Sequence, residues 1–386
     1  MKAEKNGGRV VWIDYLRAFI TLLVLYHHGA QAYTTYAAQN HTNFLWSTAP
    51  IVDTQRWAFL DYAENFNDVF FMSLMFCISG LFVWPLLKKK GARAFLRDRL
   101  LRLGIPFLVG VVLLMPVAYY PSWLSAGGAP GYLRYWLAFI KAGWSPGPLW
   151  FVWVLLAFDA IAAVVFLLFR KASGRRFVPR SAPKSFLVLF LISFVTYVPM
   201  LAHFGFGTWV PFVFPPLYFQ IARIFLYLTW FWAGIILGAH GLENGLLAEG
   251  GALARQWPWW IVSCVIAYNL LWFGPGLVAH FTGSTHLRDL AYVTLWVASC
   301  CASCFALLAI FRRVLNKRRA WMDSIARSAY LMYVIHYVFV SWTQYFLLGL
   351  AVDAAAKFFI TCVSVIALSW LAARLFLKSP RLRTIM

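Results

Sequence analysis

Ten apolar runs dominate the chain, at 10–33, 62–87, 101–120, 148–170, 185–203, 217–239, 257–273, 288–311, 323–347 and 352–377. Each is long enough to cross a hydrocarbon core of ~30 Å as a helix. Lipid offers the backbone no hydrogen bonds, so only helices or a closed barrel can span it. The runs are long and lack the two-residue alternation of barrel strands. The sequence therefore predicts an all-α fold, a polytopic membrane bundle of about ten transmembrane helices. Of the 386 residues, 62% are apolar and 12% charged, where a soluble domain holds about half and about a quarter. That excludes a soluble enzyme, a disordered chain and a disulfide-stapled secreted scaffold. No internal repeat and no low-complexity segment stands out, and residues 1–386 read as a single membrane domain with no separate soluble part.

The formal charge of +21 would indicate nucleic acid in a soluble protein. Here the topology accounts for it. One side of the predicted bundle holds Lys2, Lys5, Arg9, the Lys88–Arg102 and Arg170–Lys184 loops, Arg255, the Arg312–Arg319 loop, Arg374, Lys378, Arg381 and Arg383, 26 basic residues in all. The other side holds Arg56, Arg134, Lys141, Arg288 and Lys357. Basic loops stay in the cytoplasm, so both termini are expected there and no nucleic-acid partner is expected. The N-terminal segment has the basic start and small residues (Ala30, Gln31, Ala32) of a signal peptide. Asp14 and Arg17 interrupt its apolar stretch, which identifies it as the first span. Cys77, Cys264, Cys300, Cys301, Cys304 and Cys362 all fall inside apolar runs. They are expected to pack rather than to form disulfides or hold a metal.

A charged group near the bilayer centre costs about 2.5–3.5 kcal/mol, so polar residues inside spans are candidates for function. The first span reads IDYLRAFITLLVLYHH from Ile13 to His28. On a helix, Arg17 and His28 lie about 60° and about 40° from Asp14, while His27 points about 140° away. Arg17 and His28 share a stripe and are separated by about 16 Å along the axis. A cation toward the cytoplasm and an imidazole toward the outside suit a pathway across the membrane. An Asp14–Arg17 staple with an interfacial His28 is the competing explanation. Substitution of His27 is expected to matter little.

In the second span, Asp61, Glu64 and Asp68 form another stripe, either lining an entrance or capping a solvated helix end. Its MSLMFCISG ending places Ser79 beside Gly80, a small pair that lets another helix come close. In the densest basic loop, Arg99 and Arg102 are three apart, a spacing that shares a helix face and suits bidentate phosphate recognition. Simple accumulation of cytoplasmic positive charge explains them equally. Asp159 is the deepest acid, either a partner for Arg17 or a proton-relay group. Arg223 sits near Gln220 and Tyr227, an outer polar patch or a packing contact. His336 follows Tyr333 by one turn. No serine-nucleophile elbow, phosphate-binding loop or zinc-protease motif occurs.

Taken in order, these segments resemble the acyltransferase 3 family of integral membrane acyltransferases over the whole chain. The resemblance rests on Asp14, Arg17 and His28 in the first span, on MSLMFCISG, on RLLRLGIP with Arg99 and Arg102, on GPLWFVWVLL and on SAYLMYVIH. Ser73 stands where many members have Pro, and Met75 where many have Phe, with consequences expected for packing alone. The chain is expected to be a stand-alone member without the fused extracytoplasmic domain of some relatives, near the glucan succinyltransferase branch.

The resemblance implies transfer of an acyl group from cytoplasmic acyl-CoA to a hydroxyl of a sugar, glycan, lipid-linked or other envelope acceptor. It also implies a protein of a bacterial inner membrane, with acyl-CoA as co-substrate and no permanently bound cofactor. In that scheme His28 is general base, its imidazole suited to the task at neutral pH. Arg17 binds the donor or stabilises negative charge, and Asp14 positions it. Arg99 and Arg102 hold the coenzyme phosphates. Trp150 and His336 wall the cavity or orient the acceptor, with Ser79, Arg223 and Asp159 as further candidates. A transporter or flippase for a small anion or lipid-linked sugar, using Arg17 and Asp159, is the alternative. The lack of a detectable repeat or paired broken helices weighs against it. A non-catalytic envelope scaffold would leave the aligned Arg17 and His28 unexplained.

Overall fold

A computed structural model describes residues 10–169 and 178–380. Lys2, Lys5, Arg9, Arg170, Lys171, Arg175, Arg176, Arg381 and Arg383, counted above as basic-side charges, lie outside the described residues. The architecture is a helical bundle. Its helices are α1 (Val11–Gln31), α2 (Ala58–Lys90, with a turn at 81–82), α3 (Ala92–Ser125), the short α4 (Tyr132–Lys141), α5 (Trp150–Phe169), α6 (Ala182–Phe204), α7 (Ile224–Ala239), α8 (Trp257–Thr282), α9 (Thr285–Val314), α10 (Ala320–Leu347) and α11 (Ala354–Phe376). Strands β1 (Trp209–Pro211) and β2 (Tyr218–Gln220) form a small antiparallel hairpin before α7.

Eight of these helices are long and apolar enough to cross a membrane: α2, α3, α5, α6, α7, α8, α9 and α11. The other two long helices, α1 and α10, are more polar, and they pack against each other inside the bundle. Their polar side chains therefore meet protein rather than lipid. By contrast, only 11% of the most apolar stretch of α6, and of α8, is buried.

Each predicted run corresponds to one helix, with local differences. The 217–239 run begins as strand β2 and becomes helix only after Gln220. The 257–273 and 288–311 runs extend into α8 and α9, joined by a turn in which Gly283 adopts φ 64°. The first of these runs ends at Phe273, before Gly274. The helix instead continues through Pro275, because a backbone at membrane depth is best satisfied by its own turns.

Local chemistry explains the ends and bends. Ser181, Ser284 and Asp353 cap α6, α9 and α11 by accepting from the backbone N–H of Lys184, Leu287 and Ala356. Helix α3 carries three prolines, each removing a backbone donor, and two widened π turns at Leu100–Gly104 and Gly110–Leu114. Aromatic side chains supply donors to carbonyls along it. Tyr330 donates to Arg102 O at 2.8 Å, before Pro106. The Trp144 indole donates to Val111 O at 3.1 Å, before Pro116. The Trp342 indole donates to Val117 O at 3.1 Å, four residues before Pro121.

The Ser79–Gly80 pair is a packing device, as its small side chains predict. A Cβ on Gly80 would lie 2.2 Å from Phe231 O, and one on Gly234 2.0 Å from Cys77 O. Helices α2 and α7 therefore meet backbone to backbone. Cys77, Cys300, Cys301 and Cys304 are buried, and all six cysteines are free thiols.

Candidate active site

The C-terminal turn of α1 places His27, His28 and Gln31 together. His28 faces α10, where its ring lies 5.3 Å from that of His336 and 5.1 Å from that of Tyr337, centroid to centroid. Its Nδ1 is 3.0 Å from Gln31 Oε1. Gln344 of α10 donates to the carbonyls of His28 and Gly29 at 3.1 and 3.2 Å, fastening this turn. Gly29 in turn lies close to Cys362 of α11.

His336 is fully buried. Its Nδ1 lies 2.6 Å from Tyr333 O, so that nitrogen carries the proton and Nε2 keeps a lone pair. Nε2 has no hydrogen-bond partner within the described residues. The Tyr333 hydroxyl donates to Pro148 O, tying α10 to the start of α5.

His27 points away from this face, toward α2, as the helical period requires. Its Nε2 is 3.3 Å from Glu64 Oε1, and both side chains are buried. The Glu64 carboxylate also accepts from the Tyr36 hydroxyl. Tyr36 lies in the loop after α1, where burial and then the Glu64 carboxylate push its phenol above the ordinary value. It therefore stays a donor.

The acidic stripe of α2 is thus not a solvated helix end. Asp61 accepts from Thr35 N at 2.7 Å, Glu64 meets His27 and Tyr36, and Asp68 pairs with Arg223. The Arg223 guanidinium grips both Asp68 carboxylate oxygens, one at 2.9 Å, and faces the rings of Phe206 and Trp296.

The other expected site residues fall into separate groups. Arg17 Nη1 lies 3.4 Å from Asp14 Oδ1, and its guanidinium faces Phe82. This pair is eleven residues from His28, about 16 Å nearer the other end of α1. A small polar pocket of about 50 Å³ opens there, lined by Asp14, Arg318, Asp323 and Arg327 among others. Asp159 does not pair with Arg17. Its partner is Arg99, whose Nε lies 3.1 Å from Asp159 Oδ2. Arg99 and Arg102 accordingly part ways across the first π turn of α3. Arg99 turns in to fully buried Asp159, while Arg102 is exposed. Trp150 packs on Tyr227 and Trp209, and Ser79 bonds back to Met75 O at 2.9 Å. Neither joins the histidines.

Residues 10–374 match a protein family described as an acyltransferase domain. The chain belongs to that acyltransferase family. No curated protein and no solved structure matches it. It is a membrane acyltransferase, and α1 and α10, its two long helices without a stretch apolar enough to cross a membrane, meet at paired imidazoles. Gln31, Tyr337 and Gln344 were not singled out by sequence reasoning. Gln31 carried a usable signal, since it stands three and four residues after the two histidines and so shares their surface. Tyr337 and Gln344 reach the site through the packing of α10, which no local pattern encodes.

Proposed function

We propose that this acyltransferase moves an acyl group from a cytoplasmic acyl-CoA to a hydroxyl of a sugar, glycan or lipid-linked acceptor of a bacterial envelope, with His28 as general base. The observation that carries this reading is the His28–His336 pair, held by Gln31 and Tyr333 at the junction of two buried helices of a family acyltransferase. With Nδ1 of His28 protonated toward Gln31, its Nε2 takes the proton of the acceptor hydroxyl. The acceptor oxygen attacks the thioester carbonyl, the C–S bond breaks, and the departing thiolate receives the proton from His28. His336 Nε2, also a lone pair, accepts a hydrogen bond from the acceptor and orients it.

The distance between Arg17 and His28 separates their tasks. Arg17 is too far along α1 to stabilise charge at the reacting carbonyl and belongs to the path of the donor. The basic end of the bundle, with Arg102, Arg318 and Arg327, receives the coenzyme phosphates, and the acyl arm reaches inward toward His28.

Thermal unfolding of the detergent-solubilised protein against acyl-CoAs, free CoA and unrelated nucleotides tests the donor. A ligand at about 100 times its Kd adds about 2.7 kcal/mol of stability. A shift with one acyl-CoA and none with adenine nucleotides is the expected result. Folded protein that responds to no CoA species would overturn the donor assignment.

A further inference from the structure

We propose that Gln31 is the positioning residue that fixes the tautomer of His28, and that the His27–Glu64 pair sets the orientation of Gln31. The proposal deepens the reading of His28 as general base and rests on it. An imidazole acts as a base through one nitrogen only if the other holds the proton. Gln31 decides which. Its side chain lies between the two histidines, with Oε1 3.0 Å from His28 Nδ1 and Nε2 3.2 Å from His27 Nε2. The oxygen accepts, so His28 Nδ1 carries hydrogen and Nε2 presents its lone pair. The amide nitrogen donates, so His27 Nε2 is an acceptor and its own proton sits on Nδ1.

Turning the amide over reverses both assignments. A nitrogen facing His28 Nδ1 would donate to it and drive the proton to Nε2, leaving no base. An oxygen facing His27 would require a proton on His27 Nε2. Glu64 chooses between these states, because its Oε1 lies 3.3 Å from that same nitrogen. Its carboxylate attracts the amide N–H groups of Gln31 and repels the amide oxygen, which favours the arrangement seen, in which His28 is a base. Turning the amide over would aim its oxygen at that carboxylate. Tyr36 donates to the second Glu64 oxygen and holds the carboxyl in place. The His28 ring is flanked by His336 and Tyr337, and its backbone is fastened by Gln344. These contacts restrain the ring and leave its Nδ1 to Gln31. The chain Glu64–His27–Gln31–His28 thus runs from α2 to the reacting nitrogen.

The test combines kinetics with a direct reading of the tautomer. Gln31→Leu removes both polar ends at similar size and is expected to lower kcat about 100-fold, the scale of losing an oriented base. The KM for acyl-CoA should stay within about 2-fold, since the donor binds elsewhere. Gln31→Glu restores an oxygen acceptor and should return kcat to within about 10-fold of the parent. Nitrogen-15 NMR of histidine-labelled protein in micelles should show His28 protonated on Nδ1 in the parent and in Gln31→Glu, but not in Gln31→Leu. Normal kcat with an unchanged tautomer in folded Gln31→Leu would overturn the proposal. So would a loss confined to KM, or a Gln31→Glu variant no better than Gln31→Leu. His28→Ala separates the two claims. Full activity there removes the base assignment, while the NMR comparison still decides whether Gln31 holds the His28 tautomer.

Discussion

Two buried polar clusters sit on neighbouring helices and are built on opposite principles. The Asp68–Arg223 clamp between α2 and the start of α7 is closely paired. Both carboxylate oxygens are gripped, the Asp68 carbonyl accepts as well, and aromatic rings flank the guanidinium. The histidine cluster between α1 and α10 keeps capacity in reserve. His336 Nε2 and His27 Nδ1 are buried without a partner in the described residues. An unmade buried hydrogen bond costs about 1–3 kcal/mol. Arg223 Nε is also buried without a partner among the described residues, but it belongs to a charge already paired with Asp68, whereas the free lone pair of His336 Nε2 can accept a hydrogen bond from a substrate.

The largest test of this contrast is His28→Ala. Removing a general base should lower kcat by about 1000-fold, within the 10²–10⁴ range for such groups. Melting temperature should hardly change, because the ring is only partly buried and its backbone contacts to Gln344 remain. Turnover near normal would place the base elsewhere. The clamp should behave the other way. Arg223→Leu leaves Asp68 with no counter-charge at its carboxylate and should destabilise the protein by about 3–5 kcal/mol. Adding Asp68→Leu should recover most of that, as apolar replacements of buried ion pairs often do. Unfolding midpoints of the single and double variants measure it. A double variant that is stable but inactive would move Arg223 from structure into the acceptor site.

How much of this was legible beforehand differs by length scale. The apolar runs named every long helix, because membrane depth allows little else. The helical period separated His27 from His28, since it needs only the rise and turn of one element. The partners were another matter. Asp159 found Arg99 rather than Arg17 because α3 packs beside α5, and charge patterns say nothing about which helices are neighbours. Lys357, counted in the sequence as a loop charge, is instead buried against Asp53 at 2.7 Å. Arg56, counted likewise, ties the carbonyls of Ala32, Thr34 and Ala37. Both fold the long loop after α1 over the histidine end of that helix. The three-residue spacing of Arg99 and Arg102 promised a shared face, but the π turn beginning at Leu100 breaks that register.

That broken register sharpens the comparison at the basic end, where one arginine is clamped and the other exposed. Arg99→Ala should act first on stability, because Asp159 is fully buried and would lose its counter-charge. Coupling it with Asp159→Asn should restore the melting temperature. If Arg99 also helps to hold the donor, the restored double variant will still show a raised KM for acyl-CoA. Arg102 is exposed, so Arg102→Ala should leave the melting temperature unchanged and raise the KM for acyl-CoA about 5-fold. That is close to 1 kcal/mol, the scale of one exposed charge-assisted contact to phosphate. The rise should shrink as salt is added, since such contacts are screened. An unchanged KM in Arg102→Ala and in the stable double variant would return both arginines to a purely topological role. Catalysis would then have to draw its donor contacts from groups such as Arg17 and, at the start of α10, Arg318 and Arg327 beside the polar pocket at that end of α1.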